Sequence, residues 1–311
     1  MAGGDDGDYY NGYTPSIAAA SVFAALFGIL TLLHGYQLFR TKTWYFLAFF
    51  AGGIFETVGF IVRTISASEE PEYTRAPYIV SQVAVLVAPS LFAASMYMEL
   101  ARIIRLTGGE VYSMIRVTWL TKIFVVGDVI AFLTQTLGAG LLASSSSSSH
   151  DTGRTIIQIG LNVQIVFFAL FVVVALLFHF RIAKNPTQKV RKNRIPWKKH
   201  LDNIYTASSM VLVRCVFRFI EYAMGEYSYL MTNEWVIYVF DALLMVFVMV
   251  AFAVVHPSEV GALLNGKGKA IVKVVFAREV AVAMVADYDW MQREQDASLD
   301  SAQEMTAYHG V

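Results

Sequence analysis

The chain alternates long apolar runs with short polar connections, and each apolar run is long enough for a membrane-crossing helix. Such a helix needs about 20 apolar residues to cross about 30 Å of hydrocarbon. Seven runs qualify, at residues 16–39, 44–65, 78–100, 119–142, 155–180, 204–224 and 235–256. Helices are expected because backbone groups in hydrocarbon must satisfy their hydrogen bonds within the segment. The pattern predicts an all-α membrane protein, a bundle of seven transmembrane helices.

The composition supports a membrane setting. Apolar residues make up 56% of the chain and charged residues 15%, whereas soluble domains carry roughly 25% charged residues. The single cysteine, Cys215, excludes an intrachain disulfide. The acidic opening segment has none of the basic residues that begin a secretory signal peptide.

Basic residues are concentrated in alternate connections, and this bias sets the expected orientation. The segment before the first run has none, whereas residues 181–199 carry eight lysines and arginines and residues 40–42 carry two. The bias predicts an N-terminus outside the cell and a cytosolic C-terminus. The expected division is an extracellular tail at residues 1–15, a seven-helix domain at 16–256 and a partly disordered cytosolic tail at 257–311.

Two connecting segments have simple expected roles. The serine run at residues 144–149, with His150 and Asp151, is expected to be a flexible outer linker. The tail segment AIVKVVFAREVAVAMVA is too short and too charged to be an eighth span. It is expected to lie along the cytosolic membrane surface.

The sixth run contains charges that need a specific explanation. Arg214, Arg218 and Glu221 are spaced i, i+4 and i+7, so they share one stripe of a helix. A charge at the centre of a bilayer costs at least about 2.5–3.5 kcal/mol, and such residues usually face a protein interior and have partners. We predict that Arg218 bonds Glu221 or Asp241.

Polar residues in the other runs lie at similar depths, mostly between the midplane and the outer surface. Gly52 and Gly59 share a helix face with Glu56 and Arg63 and would let another helix approach closely. Pro89 predicts a kink in the third run. The cluster predicts a polar, outward-opening cavity; the alternative is that these charges only lock the bundle together. The candidate ligand-binding residues are Glu56, Arg63, Gln82, Asp128, Gln135, Asn162, Arg214, Arg218, Glu221 and Asp241.

Several functional classes lack their required residues. A retinal pigment needs a lysine in the last span, but none occurs between Lys199 and Lys267. No G-x-S-x-G motif supports a serine nucleophile, and no G-x-x-x-x-G-K-[ST] motif supports an ATPase domain. A shared metal site for His34, His179 and His256 is geometrically possible, but capping is the preferred interpretation. We predict no enzymatic activity, catalytic residues, metal site or cofactor.

Long charge-bearing stretches carry a family resemblance. They are FETVGFIVR, APSLFAASMYMELARII, LTKIFVVGDVIAFLTQ, RCVFRFIEYAMG and YVFDALLMVFVMVAFAVVHPSEV. Through them, residues 13–260 resemble the fungal lipid-translocating exporter proteins, also called RTA-like proteins. The resemblance implies a seven-helix membrane protein linked to movement of, or resistance to, lipophilic compounds. Family members have been associated with sphingoid long-chain bases, sterol-like toxins and porphyrins.

The leading hypothesis is a plasma-membrane protein that binds and translocates or exports amphiphiles such as sphingoid bases. Carboxylates such as Glu56, Glu221 or Asp241 would receive a cationic amine while the lipid tail lies between spans. The expected partners are membrane lipids and a sphingoid-base-like or sterol-like compound, with no nucleic acid; the oligomeric state is not indicated. A seven-helix receptor or sensor and an intramembrane lipid hydrolase stay open as alternatives.

Overall fold

Long helices make up most of the computed structural model, which describes residues 14–69, 74–142, 147–192, 195–224, 228–266 and 268–279. Short 3-10 turns lie at Trp44–Phe46 and Glu110–Tyr112, and a π-helical segment lies at Tyr238–Ala242. The elements are α1 Ile17–Thr41, α2 Leu47–Ala67, α3 Arg75–Leu106, α4 Val117–Leu142, α5 Ser147–Lys184, α6 Gln188–Lys192, α7 Trp197–Met224, α8 Tyr229–Thr232, α9 Glu234–Ile237, α10 Leu243–Val254, α11 Ser258–Asn265, β1 Lys269–Lys273 and β2 Phe276–Glu279.

Six helical segments of the described residues are long and apolar enough to cross a membrane, so the chain is a multi-pass membrane protein. They are Ile17–Thr41, Trp44–Ala67, Ala76–Leu106, Val117–Leu141, Asp151–Lys184 and Glu234–Asn265. Helix α7 covers the remaining predicted run but is not among the six. Its 28 residues include the charged stripe and a basic first turn, which lower its hydropathy.

Helix α3 occupies the centre of the bundle, where it contacts α2, α4, α5, α7 and α11. The expected close approach at the glycines of α2 is confirmed. A Cβ atom added to Gly52 would lie 2.7 Å from Phe92, and one added to Gly59 would lie 2.8 Å from Val85. These distances are too short for a larger residue, so the backbone of α2 packs directly against side chains of α3 along this face.

Helix α5 begins earlier in the sequence than the prediction of a serine-rich linker implied. The helix begins at Ser147, so its first turn lies inside the serine run that was expected to be flexible. Serine is only a weak helix breaker and is favoured at helix starts, so a serine run next to an apolar helix can extend it. The structure does not describe residues 143–146.

The segment after the last long helix folds back against the bundle. Strands β1 and β2 form an antiparallel hairpin, an element that the all-helical prediction did not include. Gln37 of α1 donates from Nε2 to the carbonyl of Val274 at 2.7 Å, and Ile271 N donates to Ser258 Oγ at 2.9 Å. The hairpin is thereby attached to α1 and α11. The polar tail after Asp287, expected to be disordered, lies outside the described residues.

Candidate functional site

Two arginines of α7 share one carboxylate at the centre of the site. Asp241 accepts hydrogen bonds from Arg214 Nε and Arg218 Nη2, one on each oxygen. Arg218 also donates from Nη1 to Glu221 Oε2 at 3.0 Å. All four side chains are buried. The prediction that Arg218 bonds Glu221 or Asp241 is confirmed, and it bonds both.

Local helix geometry positions these groups. The three charged residues of α7 face one direction because their spacing follows the helical repeat. Asp241 lies in the π-helical segment Tyr238–Ala242. Such a segment is a local widening of a helix, and it is frequent at functional sites. It interrupts the α-helical repeat of the last span at the point where a carboxylate meets α7.

A proline explains a further contact of Arg214. Its Nη2 donates to the carbonyl of Val85 in α3 at 3.1 Å. That carbonyl lies four residues before Pro89, which has no N–H and cannot form the usual helical hydrogen bond to it. Helix α3 continues through Pro89 while the guanidinium satisfies the exposed acceptor. The combination of a mid-membrane proline and an unexplained arginine was visible in the sequence.

The end of the site next to the start of α9 contains an ion pair that the sequence did not predict. Arg63 Nη2 lies 3.1 Å from Glu234 Oε1. Glu234 also accepts from the hydroxyl of Tyr238 at 2.8 Å and from the backbone N–H of Ser16 at 2.7 Å. Glu234 was missed because it lies in an apparent outer loop. Its position at the start of an apolar run, where acidic residues are favoured at helix N-termini, was the available signal.

Glu56 differs from the other acids of the site. Its side chain is 0% exposed, and neither carboxyl oxygen has a hydrogen-bond partner among the described residues. Its charged neighbours are Asp241, Arg214 and Arg218. With Glu221, three carboxyl groups therefore face two guanidinium groups. Two guanidinium groups neutralise two carboxylates, so the third carboxyl group is either uncharged or needs a further cation.

The structure separates the remaining candidates from this centre. Asp128 accepts from the hydroxyl of Tyr97 at 2.8 Å, and Gln135 donates to Gln164 at 2.9 Å between α4 and α5. Gln82 hydrogen-bonds Tyr78, whose neighbours include Arg63, Arg218 and Glu221, and therefore lies at the edge of the site. Asn162 is exposed, and its side-chain amide donates to the Gln158 carbonyl of its own helix. The structure does not bring Asn162 to the cluster, because depth alone does not determine which face of a helix a residue occupies.

A second buried polar group lies near the opposite end of α7. His200 is 0% exposed, with Nδ1 3.1 Å from Glu99 Oε1 and Nε2 3.2 Å from Glu259 Oε2. By contrast, His34 bonds the carbonyl of Met249, and His179 bonds Tyr205. Among the described residues, no three His, Cys, Asp or Glu side chains are grouped as metal ligands would be.

Apolar helices around a buried arginine–carboxylate cluster define a class: a polytopic membrane protein with an intramembrane polar site. The model of the family described as RTA1 like protein matches residues 49–263. The chain belongs to this fungal family, as the resemblance implied. All residues of the central cluster lie within the matched range.

Curated relatives come from Saccharomyces cerevisiae. Protoporphyrin uptake protein 1 is 33% identical over 289 residues, covering 82% of this chain and 94% of its own. Protein RTA1 is 30% identical over 270 residues, covering 79% and 84% of the two chains. Sphingoid long-chain base transporter RSB1 is 26% identical over 290 residues, covering 83% and 75%. No solved structure matches the chain.

Proposed function

We propose that the chain binds amphiphilic lipids or lipophilic toxicants at the α7 cluster and translocates them across the plasma membrane. The names of two relatives, a sphingoid-base transporter and a porphyrin uptake protein, support this class of cargo. The favoured substrate has a cationic amine on a long apolar tail, as a sphingoid base does. Its tail would lie between helices while its headgroup reaches the charged centre.

The proposed topology has seven spans, with the N-terminus outside and α7 as the sixth span. Helix α7 has 28 residues, and at about 1.5 Å per residue this is long enough to cross the hydrocarbon core. Its charged residues Arg214, Arg218 and Glu221 are paired within the protein, and this pairing offsets the cost of placing charges in the membrane. The distribution of lysine and arginine supports the orientation.

Glu56 is the observation that carries the proposal. A buried carboxyl group without a partner is costly, and an ammonium headgroup would supply both the missing hydrogen bonds and the missing positive charge. Arg214 and Arg218 have their own acids, so the incoming cation would not need to break their ion pairs. An opening between helices towards the outer side would admit the headgroup to Glu56.

The test uses the purified full-length chain in liposomes with a fluorescent sphingoid base, and it measures movement between leaflets. We expect Glu56→Gln to weaken binding by about 10- to 100-fold, because a charge-assisted hydrogen bond contributes about 1.5–3 kcal/mol. Glu69→Gln is the matched control: it makes the same change just after the same helix, in the outer connection.

Three results would contradict parts of the proposal. Movement no faster than in protein-free liposomes would exclude translocation, and binding without movement would favour the sensor hypothesis. If Glu56→Gln binds and moves the base as the wild type does, the assignment of Glu56 is wrong. A fluorescent long-chain alcohol separates effects on the amine from effects on the tail, because Glu56→Gln should leave its movement unchanged.

A further inference from the structure

A cavity lies at the end of the bundle opposite the Arg63–Glu234 pair. It has a volume of about 200 Å³ and is formed by the end of α1, the Trp44–Phe46 turn, α3, α11 and β1. The side chains that matter for its chemistry are Lys42, Arg102, Lys269, Thr41, Thr43 and Ser258. In the proposed orientation this end faces the cytosol.

The cavity is strongly cationic. Lys42, Arg102 and Lys269 come from three different elements, and the described residues that line the cavity include no acid. Glu279 lies opposite Lys269 in the backbone register of the hairpin. Within the described ranges, none of the three cations forms an ion pair with a carboxylate. Positive charges that line one cavity repel one another, so the arrangement favours an anionic ligand.

One of these cations is held in place before any ligand arrives. The guanidinium of Arg102 lies 3.7 Å from the centre of the Tyr45 ring, and the Tyr45 hydroxyl donates to the carbonyl of Pro257 at 2.6 Å. Lys42, directly after α1, is exposed at the entrance. A fixed guanidinium loses less freedom on binding, and its planar fork suits phosphate oxygens.

Hydroxyl groups complete the lining. Ser258 Oγ accepts from Ile271 N, and in the described part of the chain its hydrogen is not donated elsewhere. Thr41 donates its hydroxyl hydrogen to the carbonyl of Gln37, so the 2.8 Å hydrogen bond between the two threonines uses the hydrogen of buried Thr43. Of these three hydroxyl groups, Ser258 is therefore the one that keeps a hydrogen for a ligand, beside the charged groups of the cavity.

The surroundings of the cavity indicate a lipid surface. Trp44 lines the cavity and is 56% exposed, as expected for an aromatic residue at a membrane boundary. The turn of the adjacent hairpin presents Val275 and Phe276, which are also exposed. Tyr36 of α1 bonds the carbonyl of Val275 at 3.4 Å, so this apolar turn lies beside a membrane helix. Basic pockets at the cytosolic side of membrane helices bind anionic headgroups.

We propose that this cavity binds a phosphate group, and that its source is the headgroup of an anionic phospholipid in the cytosolic leaflet. Arg102 and Lys269 are the principal ligands, with Lys42 at the entrance. Bound lipid would join α1, α3, α11 and the hairpin through one headgroup. The inference depends on the proposed orientation but not on which substrate the α7 cluster binds.

The test measures lipid retained by the purified full-length chain, using native mass spectrometry after release from nanodiscs. One set of nanodiscs contains phosphatidylcholine alone, a second also contains phosphatidic acid, and a third arm adds inorganic phosphate to the first. We expect the wild type to retain phosphatidic acid and the double variant Arg102→Gln, Lys269→Gln to retain at least about 10-fold less. Lys198→Gln removes a lysine stacked on Trp197 outside the cavity and should retain as much as the wild type.

Each remaining outcome decides against part of the inference. Equal retention of phosphatidic acid by the wild type and the double variant overturns the site. Binding of inorganic phosphate without retention of phosphatidic acid overturns the lipid source. Arg102 packs on Tyr45, so its replacement can impair folding. Lys269→Gln alone, on the hairpin, must therefore also lower retention if the site is correct.

Discussion

Replacing Asp241 by asparagine tests whether the central ion pairs stabilise the bundle. The substitution preserves the shape of the side chain but removes the charge that Arg214 and Arg218 share. Among the described residues, Glu221 would then be the one acid that is hydrogen-bonded to either of two buried guanidinium groups. Since all of these groups are buried, water cannot replace the lost carboxylate.

The expected loss follows from this geometry. Removing one partner of a buried ion pair destabilises by about 3–5 kcal/mol; here both guanidinium groups lose a hydrogen bond to a carboxylate, and Glu56 forms none in the described structure that would replace it. A double variant, Arg214→Met with Asp241→Asn, removes one charge of each sign. We therefore expect its loss to be smaller than the sum of the two single losses, with a coupling of about 0.5–3 kcal/mol.

The measurement is reversible unfolding of the detergent-purified protein by a denaturing surfactant, followed by helical circular dichroism, which gives the free energy of unfolding. Glu56→Gln is the control, since it replaces a similarly buried acid that has no hydrogen-bond partner among the described residues. It should change stability much less than Asp241→Asn. The reasoning would be refuted if Asp241→Asn were as stable as the wild type, or if the two single losses simply added.

Two further predictions use the same measurement. Gly52→Ala should destabilise by about 1–3 kcal/mol because its Cβ would lie 2.7 Å from Phe92. Gly140→Ala is the control and should be neutral or stabilising, because a Cβ added there has no neighbouring atom within 4 Å. Equal effects of the two substitutions would contradict the packing argument. Tyr97→Phe should cost about 1–3 kcal/mol because it removes the hydroxyl that donates to buried Asp128; an unchanged stability would show that this hydrogen bond contributes little.

The helices were largely predictable because the length of an apolar run and the thickness of a bilayer determine them together. Their ends were less predictable. Helices α3 and α5 extend beyond the apolar runs at residues 78–100 and 155–180, because polar turns continue a helix at the membrane surface without changing its hydropathy signal. The hairpin was missed for a related reason. It contains a short apolar run, and the hydrophobic pattern of such a run does not distinguish a strand from a short helix.

The site was predictable where helical spacing determines direction, and unpredictable where it does not. The spacing of Arg214, Arg218 and Glu221 predicted a common face, and the structure places them together. The partner of Arg63 depends on how distant helices pack, which no local pattern encodes, so Glu234 was overlooked. Asn162 was assigned from depth, although its helix turns it outward.

The sharing of Asp241 also has a consequence for how the protein is made. Arg214 precedes Asp241 by 27 residues, so α7 is synthesised before its principal counter-ion. Inserting either arginine alone at mid-bilayer costs at least about 2.5–3.5 kcal/mol. In the proposed topology, α7 and the helix that follows it are therefore expected to enter the membrane as one hairpin. Loss of Asp241 would then reduce the amount of inserted protein in the cell before any effect on transport could be measured.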